Sequence, residues 1–185
     1  MMRLFVASSF EPAFVESLKA AGDYARTAAP KGAVKWVEPD NFHLTYAFLG
    51  ELGPEGEKAA RAGLEAGVAG LKAFTLTLGG FGTFPSGRRP RVLWVGVREG
   101  AAQLRELADR LAAALSAAGV MYENRFEPHI TLGRVKDSLP ESFLRRFSDY
   151  APRPAASRLA SVELMESVLT SSGPEYRQVF SCPLL

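Results

Sequence analysis

Short runs rich in Val, Leu, Phe and Trp alternate along this chain with stretches whose apolar residues recur three and four apart. The first kind has the composition of β-strands, the second the spacing of one helical face. "RLFVA" (3–7) is a run of the first kind, and Phe14, Val15, Leu18 and Ala21 behind it predict a helix whose first turn suits Glu11 and Pro12. "RVLWVGV" (91–97) repeats the arrangement, with Leu104, Leu107, Ala108, Leu111 and Leu115 on one helical face and Gly119 beyond its end. Each pair leads into a further strand, "NFHLTYAFLG" (41–50) or "FEPHITLGRV" (126–135). At the same interval after each comes Pro-Glu (Pro54-Glu55, Pro140-Glu141) and another helical stretch, where Ser138 and Glu141 have capping-box spacing. "FTLTLGGFGTF" (74–84) and "RLASVELMESVL" (158–169) read as strands closing the two halves, with "YRQVFSCPL" as a last segment.

The order of elements therefore occurs twice, in units of roughly 1–85 and 86–185. The period is too long for a solenoid and suits two related lobes. A chain of 185 residues fits one domain, so the expectation is a single bilobal domain spanning 1–185, its lobes related by a pseudo-two-fold.

The chain's two histidines fall at matching places in this repeat, each with a threonine two positions on: His43 with Thr45, His129 with Thr131. Side chains alternate between the faces of a strand. Phe42, Leu44, Tyr46 and Phe48 then share one face, and His43, Thr45 and Ala47 the other. In the second copy Phe126, Ile130 and Leu132 oppose Glu127, His129 and Thr131. Two lobes related by an approximate two-fold can bring these polar faces together across one cleft. There, one neutral imidazole can take a proton from an attacking oxygen while a protonated one gives a proton to a leaving oxygen. Threonine hydroxyls can donate to phosphate oxygens, and Arg134 can add a cationic fork. Strict alternation places Arg134 opposite His129, so this role requires a twist or bulge near Gly133.

Composition narrows the classes. Hydrophobic residues at 47% and charged residues at 23% fit a globular chain and argue against disorder. No apolar run approaches the ~20 residues that span a bilayer, and "MMRLFVASSF" lacks the layout of a secretory signal. Cys182 is the single cysteine, which excludes an intrachain disulfide and a cysteine zinc site, and makes the cytoplasm the expected compartment. Two histidines without closely spaced carboxylates offer no metal ligand set. Gly-x-Ser-x-Gly and Gly-x-x-x-x-Gly-Lys are both absent. A net charge of +2 is too slight to indicate nucleic acid by itself. "SGRRPR" (86–91) gathers Arg88, Arg89 and Arg91 in a Gly/Pro loop, either a solvated turn or a phosphate contact.

"FHLTYAFLG" and "PHITLGRV", with "RLFVA" at the start and "FPSGRRPRVLWVGV" between, resemble the two-histidine (2H) phosphoesterases. Within that superfamily the chain is similar, over nearly its whole length, to the RNA 2′,3′-cyclic phosphodiesterases, also known as 2′-5′ RNA ligases. The resemblance implies an α+β, bilobal fold: two antiparallel sheets flanking a central cleft, helices on the outer faces, and strands near both termini in one lobe. It implies hydrolysis of an RNA terminal 2′,3′-cyclic phosphate to a 2′-phosphomonoester without metal or other cofactor, with 2′-5′ ligation as the reverse direction. By motif position His43 is the proton donor to the departing 3′ oxygen and His129 the acceptor that activates water. Thr45 and Thr131 hold the phosphate, and Arg134 matches the basic position, although the glycine before it departs from the family pattern. The implied partner is RNA ending in a 2′,3′-cyclic phosphate, bound by a monomer with no membrane and no protein partner. Two other readings stay open: a cyclic phosphodiesterase of a small nucleotide metabolite, and a non-catalytic RNA-end binder.

Overall fold

The structure, a computed structural model, describes residues 1–87, 89–123, 125–171 and 173–185. Arg88 of the basic loop lies outside the described residues.

β1 (Met2–Ser8) runs into α1 (Pro12–Ala28), where Pro12 sits in the first turn and its missing N–H is no loss. Phe14, Leu18 and Ala21 are buried as their spacing predicts, while Val15 is only half-buried. β2 (Val34–Trp36), a short 3-10 turn (Pro39–Asn41), β3 (Leu44–Leu52), α2 (Pro54–Val68) and β4 (Phe74–Phe84) follow. The second half holds β5 (Val92–Val97), α3 (Ala101–Ala117), β6 (His129–Val135), α4 (Glu141–Asp149), β7 (Ala156–Leu159), β8 (Ser161–Leu169) and β9 (Pro174–Pro183). All five apolar residues expected on one face of α3 are buried, and Gly119 beyond its end takes φ +81°.

Two local expectations are corrected. The capping box at Ser138 does not form: α4 starts at Glu141 with Pro140 as its N-cap, and Glu141 pairs with Arg145 at 2.8 Å. Pro140 disfavours a helical conformation for the residue before it, so Phe143 and Leu144 donate the first bonds to the Pro140 carbonyl. The run 158–169 is two strands. β7 pairs with β4 and β8 with β1, the chain crossing between them at Ala160.

The strands form one antiparallel sheet in the order β7-β4-β5-β6-β3-β1-β8-β9, with β2 on the edge of β6. The expected pair of separate sheets is thus corrected to two four-stranded halves of one curled sheet. The order reads the same from either end when β6 is exchanged with β3, β5 with β1, β4 with β8 and β7 with β9. β3 and β6 pair only at Leu44 and Ile130, after which β2 takes that edge of β6 through Trp36 and Gly133. The two halves part from this single contact. β1, β8 and β9 share one half, so both ends of the chain lie in it, while β4 pairs across with β5. Sequence halves and spatial halves are therefore interleaved.

α2 and α3 pack closely, because Gly63 and Gly67 face Leu115 and Leu111. A Cβ on Gly63 would lie 2.9 Å from Leu115 Cδ2 and 3.1 Å from its Cα. α2 also lies against β8 and β9, α1 against β2, β6 and β7, and α4 against β4. No helix among the described residues is long and apolar enough to cross a membrane.

Candidate active site

His43 and His129 flank the one point where the half-sheets join. His43 immediately precedes Leu44, His129 immediately precedes Ile130, and Leu44 pairs with Ile130. Each imidazole is fixed in the same way. His43 Nδ1 lies 2.7 Å from the carbonyl oxygen of Asn41, and His129 Nδ1 lies 2.7 Å from that of Glu127. A carbonyl only accepts, so each Nδ1 carries the proton and each Nε2 keeps its lone pair for the cleft. Both rings are half-buried.

Alternation along both strands slips just beyond the threonines. Ala7 faces Thr45 and Val6 faces Ala47, which leaves Tyr46 as an extra residue in β3. Trp94 faces Thr131 and Leu93 faces Gly133, which leaves Leu132 extra in β6. These are β-bulges at equivalent positions, and each re-aims the side chains that follow. In β6 the bulge returns Arg134 to the face of His129 and Thr131, which the sequence made a condition of its role. Leu132 and Gly133 are both buried and Arg134 is exposed. In β3 it buries Ala47 and turns Phe48 outward, 65% exposed, where alternation alone predicts Phe48 on the apolar face. The position five after each histidine is therefore a cation in one half and an exposed phenyl ring in the other.

Gly133 is required where it stands. A Cβ there would lie 2.6 Å from Val34 Cγ1 and 3.0 Å from Trp36 Cε3. Gly133→Ala is expected to lower stability by ~1–3 kcal/mol, the usual cost of overpacking, and to lower turnover by displacing Arg134. Adding Val34→Ala removes the nearest clashing carbon and should restore part of the turnover. Full activity in the single variant sinks the idea that Gly133 sets the position of Arg134.

Burial lowers the pKa of His43, partly opposed by its bond to Asn41, and the charges of Arg134 and His129 lower it further. His129 is lowered too, first by burial and also by Arg134, against the raising effects of the Glu127 carbonyl and carboxylate. Arg134 thus acts on both rings, as a charge close to each. It makes no ion pair, and the Thr45 and Thr131 hydroxyls no hydrogen bond, among the described residues. Three donors remain for a ligand.

Aromatic rings back each imidazole. Phe5 and Tyr176 lie 5.1 and 5.0 Å from the His43 ring, and Phe48 lies 6.1 Å from Phe5. Phe84 and Trp94 lie 5.0 and 6.4 Å from His129. None of these aromatics stood out in the sequence as part of a site. The bulge in β3 is itself anchored: Ser8 Oγ donates to the Ser161 carbonyl at 2.6 Å, leaving its lone pairs to accept from the Tyr46 hydroxyl at 3.1 Å. Nearby, the buried Glu163 accepts from Ser161 Oγ and from the Ser9 N–H, and burial raises its pKa.

Of the basic loop, Arg89 and Arg91 are exposed, and the Arg91 carbonyl accepts from Val135 N–H at 2.9 Å. The loop therefore ends, at Arg91, beside the strand end that carries Arg134. No group of three or more His, Cys, Asp or Glu side chains among the described residues could hold a metal ion.

Two imidazoles, two hydroxyls and a guanidinium carried on neighbouring strands are the groups that in-line displacement at phosphorus would call for. The sequence pattern of the 2′-5′ RNA ligase superfamily matches residues 9–169, and the chain belongs to that superfamily of two-histidine phosphoesterases. An RNA 2′,3′-cyclic phosphodiesterase of Archaeoglobus fulgidus is 34% identical over 180 residues, covering 96% of this chain and 98% of that protein. One from Thermotoga maritima is 33% identical over 182 residues, covering 98% and 95%. The crystal structure of Escherichia coli LigT complexed with 3′-AMP matches with a TM-score of 0.75 at 30% identity, covering 99% of this chain and 98% of that one.

Proposed function

We propose that this chain hydrolyses the 2′,3′-cyclic phosphate at an RNA end to a 2′-phosphomonoester, with His43 and His129 as its acid and base. The observation that carries the reading is the shared anchoring of the two imidazoles, each held through Nδ1 by the carbonyl two residues before it. Each Nε2 is thereby free to exchange a proton with an oxygen on phosphorus. Thr45, Thr131 and Arg134 donate to the non-bridging oxygens, where charge must be stabilised during transfer. The mirrored strand order and matching bulges support descent of the two half-sites from one duplicated unit.

The residues five after each histidine break the symmetry. Phe48, beside the Phe5 and Tyr176 rings that back His43, is a surface for stacking the terminal base. Arg134 opposite it favours the phosphate. A base at Phe48 puts its ribose, and the departing 3′ oxygen, on the His43 side. His43 is then the donor, and His129 activates the water that enters in line from the other side. The exposed Arg89 and Arg91 are the cations that meet the RNA backbone beyond Arg134 on this reading. One copy of the chain carries both motifs, so a monomer suffices.

The test is product analysis on an RNA ending in a 2′,3′-cyclic phosphate. A terminal 2′-phosphate is expected; a 3′-phosphate overturns the assignment of the leaving oxygen, and no turnover favours an RNA-end binder. On this substrate Phe48→Ala should raise KM by ~10-fold with a smaller change in kcat, since base–aromatic stacking is worth ~1–3 kcal/mol. Equal rates on cyclic mononucleotides and oligonucleotides would instead favour a small nucleotide substrate.

A further inference from the structure

β2 takes the edge of β6 where β3 leaves it, and there Lys35 faces Arg134 directly across the ladder. Residues directly opposed in an antiparallel pair share a face. The neighbours of Lys35 point the other way: Val34 is buried, Trp36 is half-buried, and both close on the space beside Gly133. Lys35 thus stands exposed beside Arg134, on the face of β6 that carries His129 and Thr131. Its ammonium reaches the turn of the β8–β9 hairpin, where a Cβ on Gly173 would lie 3.7 Å from Nζ. That hairpin belongs to the His43 half. The Tyr176 ring lies 5.0 Å from His43, and the Pro174 carbonyl accepts from Asn41 Nδ2 at 3.4 Å. Asn41 is the residue whose own carbonyl holds His43. One lysine therefore spans from the strand of Arg134 to the hairpin that backs His43.

Like charges directly opposed on a sheet cost stability, and neither Lys35 nor Arg134 has an ion-pair partner among the described residues. An anion beside both removes the repulsion. On the reading above, Arg134 holds the phosphate that reacts and the terminal ribose lies on the His43 side. The next anion of the substrate is the phosphate on that ribose's 5′ oxygen, and the cation between Arg134 and the His43 half is Lys35. We propose that Lys35 is a specificity residue that binds the 5′-phosphate of the nucleotide whose 2′,3′-cyclic phosphate is opened. The ligand class is a ribonucleotide with phosphate at both ends of its ribose. In RNA the second phosphate is the last internucleotide diester; in a free nucleotide it is a 5′-monoester. A nucleoside 2′,3′-cyclic phosphate with a bare 5′-hydroxyl lacks it. An ammonium suits either form, because its three donors turn on a flexible stem and need no planar, bidentate partner.

The inference rests on the hydrolytic reading, and the experiment separates the two. Turnover is measured on one nucleoside 2′,3′-cyclic phosphate in three forms: with a 5′-hydroxyl, with a 5′-phosphate, and as the 3′ end of a dinucleotide. Native protein, Lys35→Met and Lys35→Arg are compared. Native kcat/KM is expected to favour the 5′-phosphorylated forms by ~10-fold, the worth of one hydrogen bond to a charged group. Lys35→Met should bring the 5′-monoester ratio to within ~2-fold of unity and lower the dinucleotide ratio by a similar factor, while Lys35→Arg keeps most of both. Lys35→Met should also melt no lower than the native protein, since it removes a like-charge repulsion. A preference for the dinucleotide alone, lost in Lys35→Met, assigns the site to the RNA diester, and one for both forms assigns it to any 5′-phosphate. A native protein indifferent to the 5′-phosphate overturns the subsite, as does a preference that survives Lys35→Met. So does a Lys35→Met protein that loses turnover of all three forms alike, because the lysine then acts on the reacting phosphate or on the fold. A native protein that turns over none of the three overturns the hydrolytic reading beneath it.

Discussion

His43→Gln and His129→Gln are each expected to lower kcat/KM on an RNA 2′,3′-cyclic phosphate by at least ~10²-fold, the usual contribution of a positioned acid or base. The fold should survive, because both rings are half-buried at the strand starts and their anchoring bonds run to the backbone carbonyls of Asn41 and Glu127, not to core side chains. The double variant should be little worse than either single one, because an acid and a base serving one displacement act as a unit and their effects are not additive. The two variants should differ on a phosphodiester whose leaving group is a nitrophenolate. Such a leaving group needs no proton, so the His43 variant should recover most of its loss and the His129 variant little. Near-native turnover by either variant on the RNA substrate sinks the two-histidine mechanism. Equal recovery of both leaves the mechanism but removes the donor role from His43.

What the sequence disclosed and what it hid divide at the bulges. The two His-x-Thr pairs, the helical face of Leu104, Leu107, Leu111 and Leu115, and the strand at 74–84 follow from periodicity, which is a local property. Beyond Thr45 and Thr131 periodicity misleads. Whether Tyr46 or Leu132 is skipped by the ladder depends on which residues of β1 and β5 lie alongside, and that is decided far away in sequence. Phe48 therefore looked like a core residue and Arg134 like one on the wrong face. The need for a bulge at Gly133 was legible only because Arg134 had a chemical reason to face His129. The break at Ala160 was hidden for a similar reason, since an unbroken apolar run does not say that its two ends pair with different halves of the sheet. Trp94 and Gly82 are neighbours only across the β4–β5 ladder, so the wall they build beside His129 has no trace in either segment alone.

The pH dependence follows from the electrostatics of the cleft. Exposed histidine titrates near 6.5. Burial and the Arg134 charge lower both rings, and His129 adds its own lowering effect on His43. The working form has one ring protonated and one neutral, so it is most abundant between the two proton-loss steps of the coupled pair. With both rings lowered, kcat/KM should peak below pH 6.5, on the acid side of what two unperturbed histidines would give. Above the peak the donor loses its proton, and its charged fraction falls tenfold per pH unit, so the rate at pH 8.5 should be at least ~100-fold below the maximum. A bound phosphodiester carries a negative charge that favours both imidazolium forms, so the kcat profile should lie at higher pH than that of kcat/KM. Arg134→Ala removes a charge that lowers both rings. It should therefore move the kcat/KM profile towards higher pH while reducing its height through lost phosphate contact. His129→Gln should abolish the acid limb and His43→Gln the alkaline limb in the activity that remains. The measurement is kcat/KM from about pH 5 to pH 9 on the native chain and these three variants. A native plateau extending to pH 9 would mean that no imidazolium donor takes part. An Arg134→Ala profile of reduced height but unmoved position would mean that the guanidinium contacts the phosphate without setting the protonation of the pair.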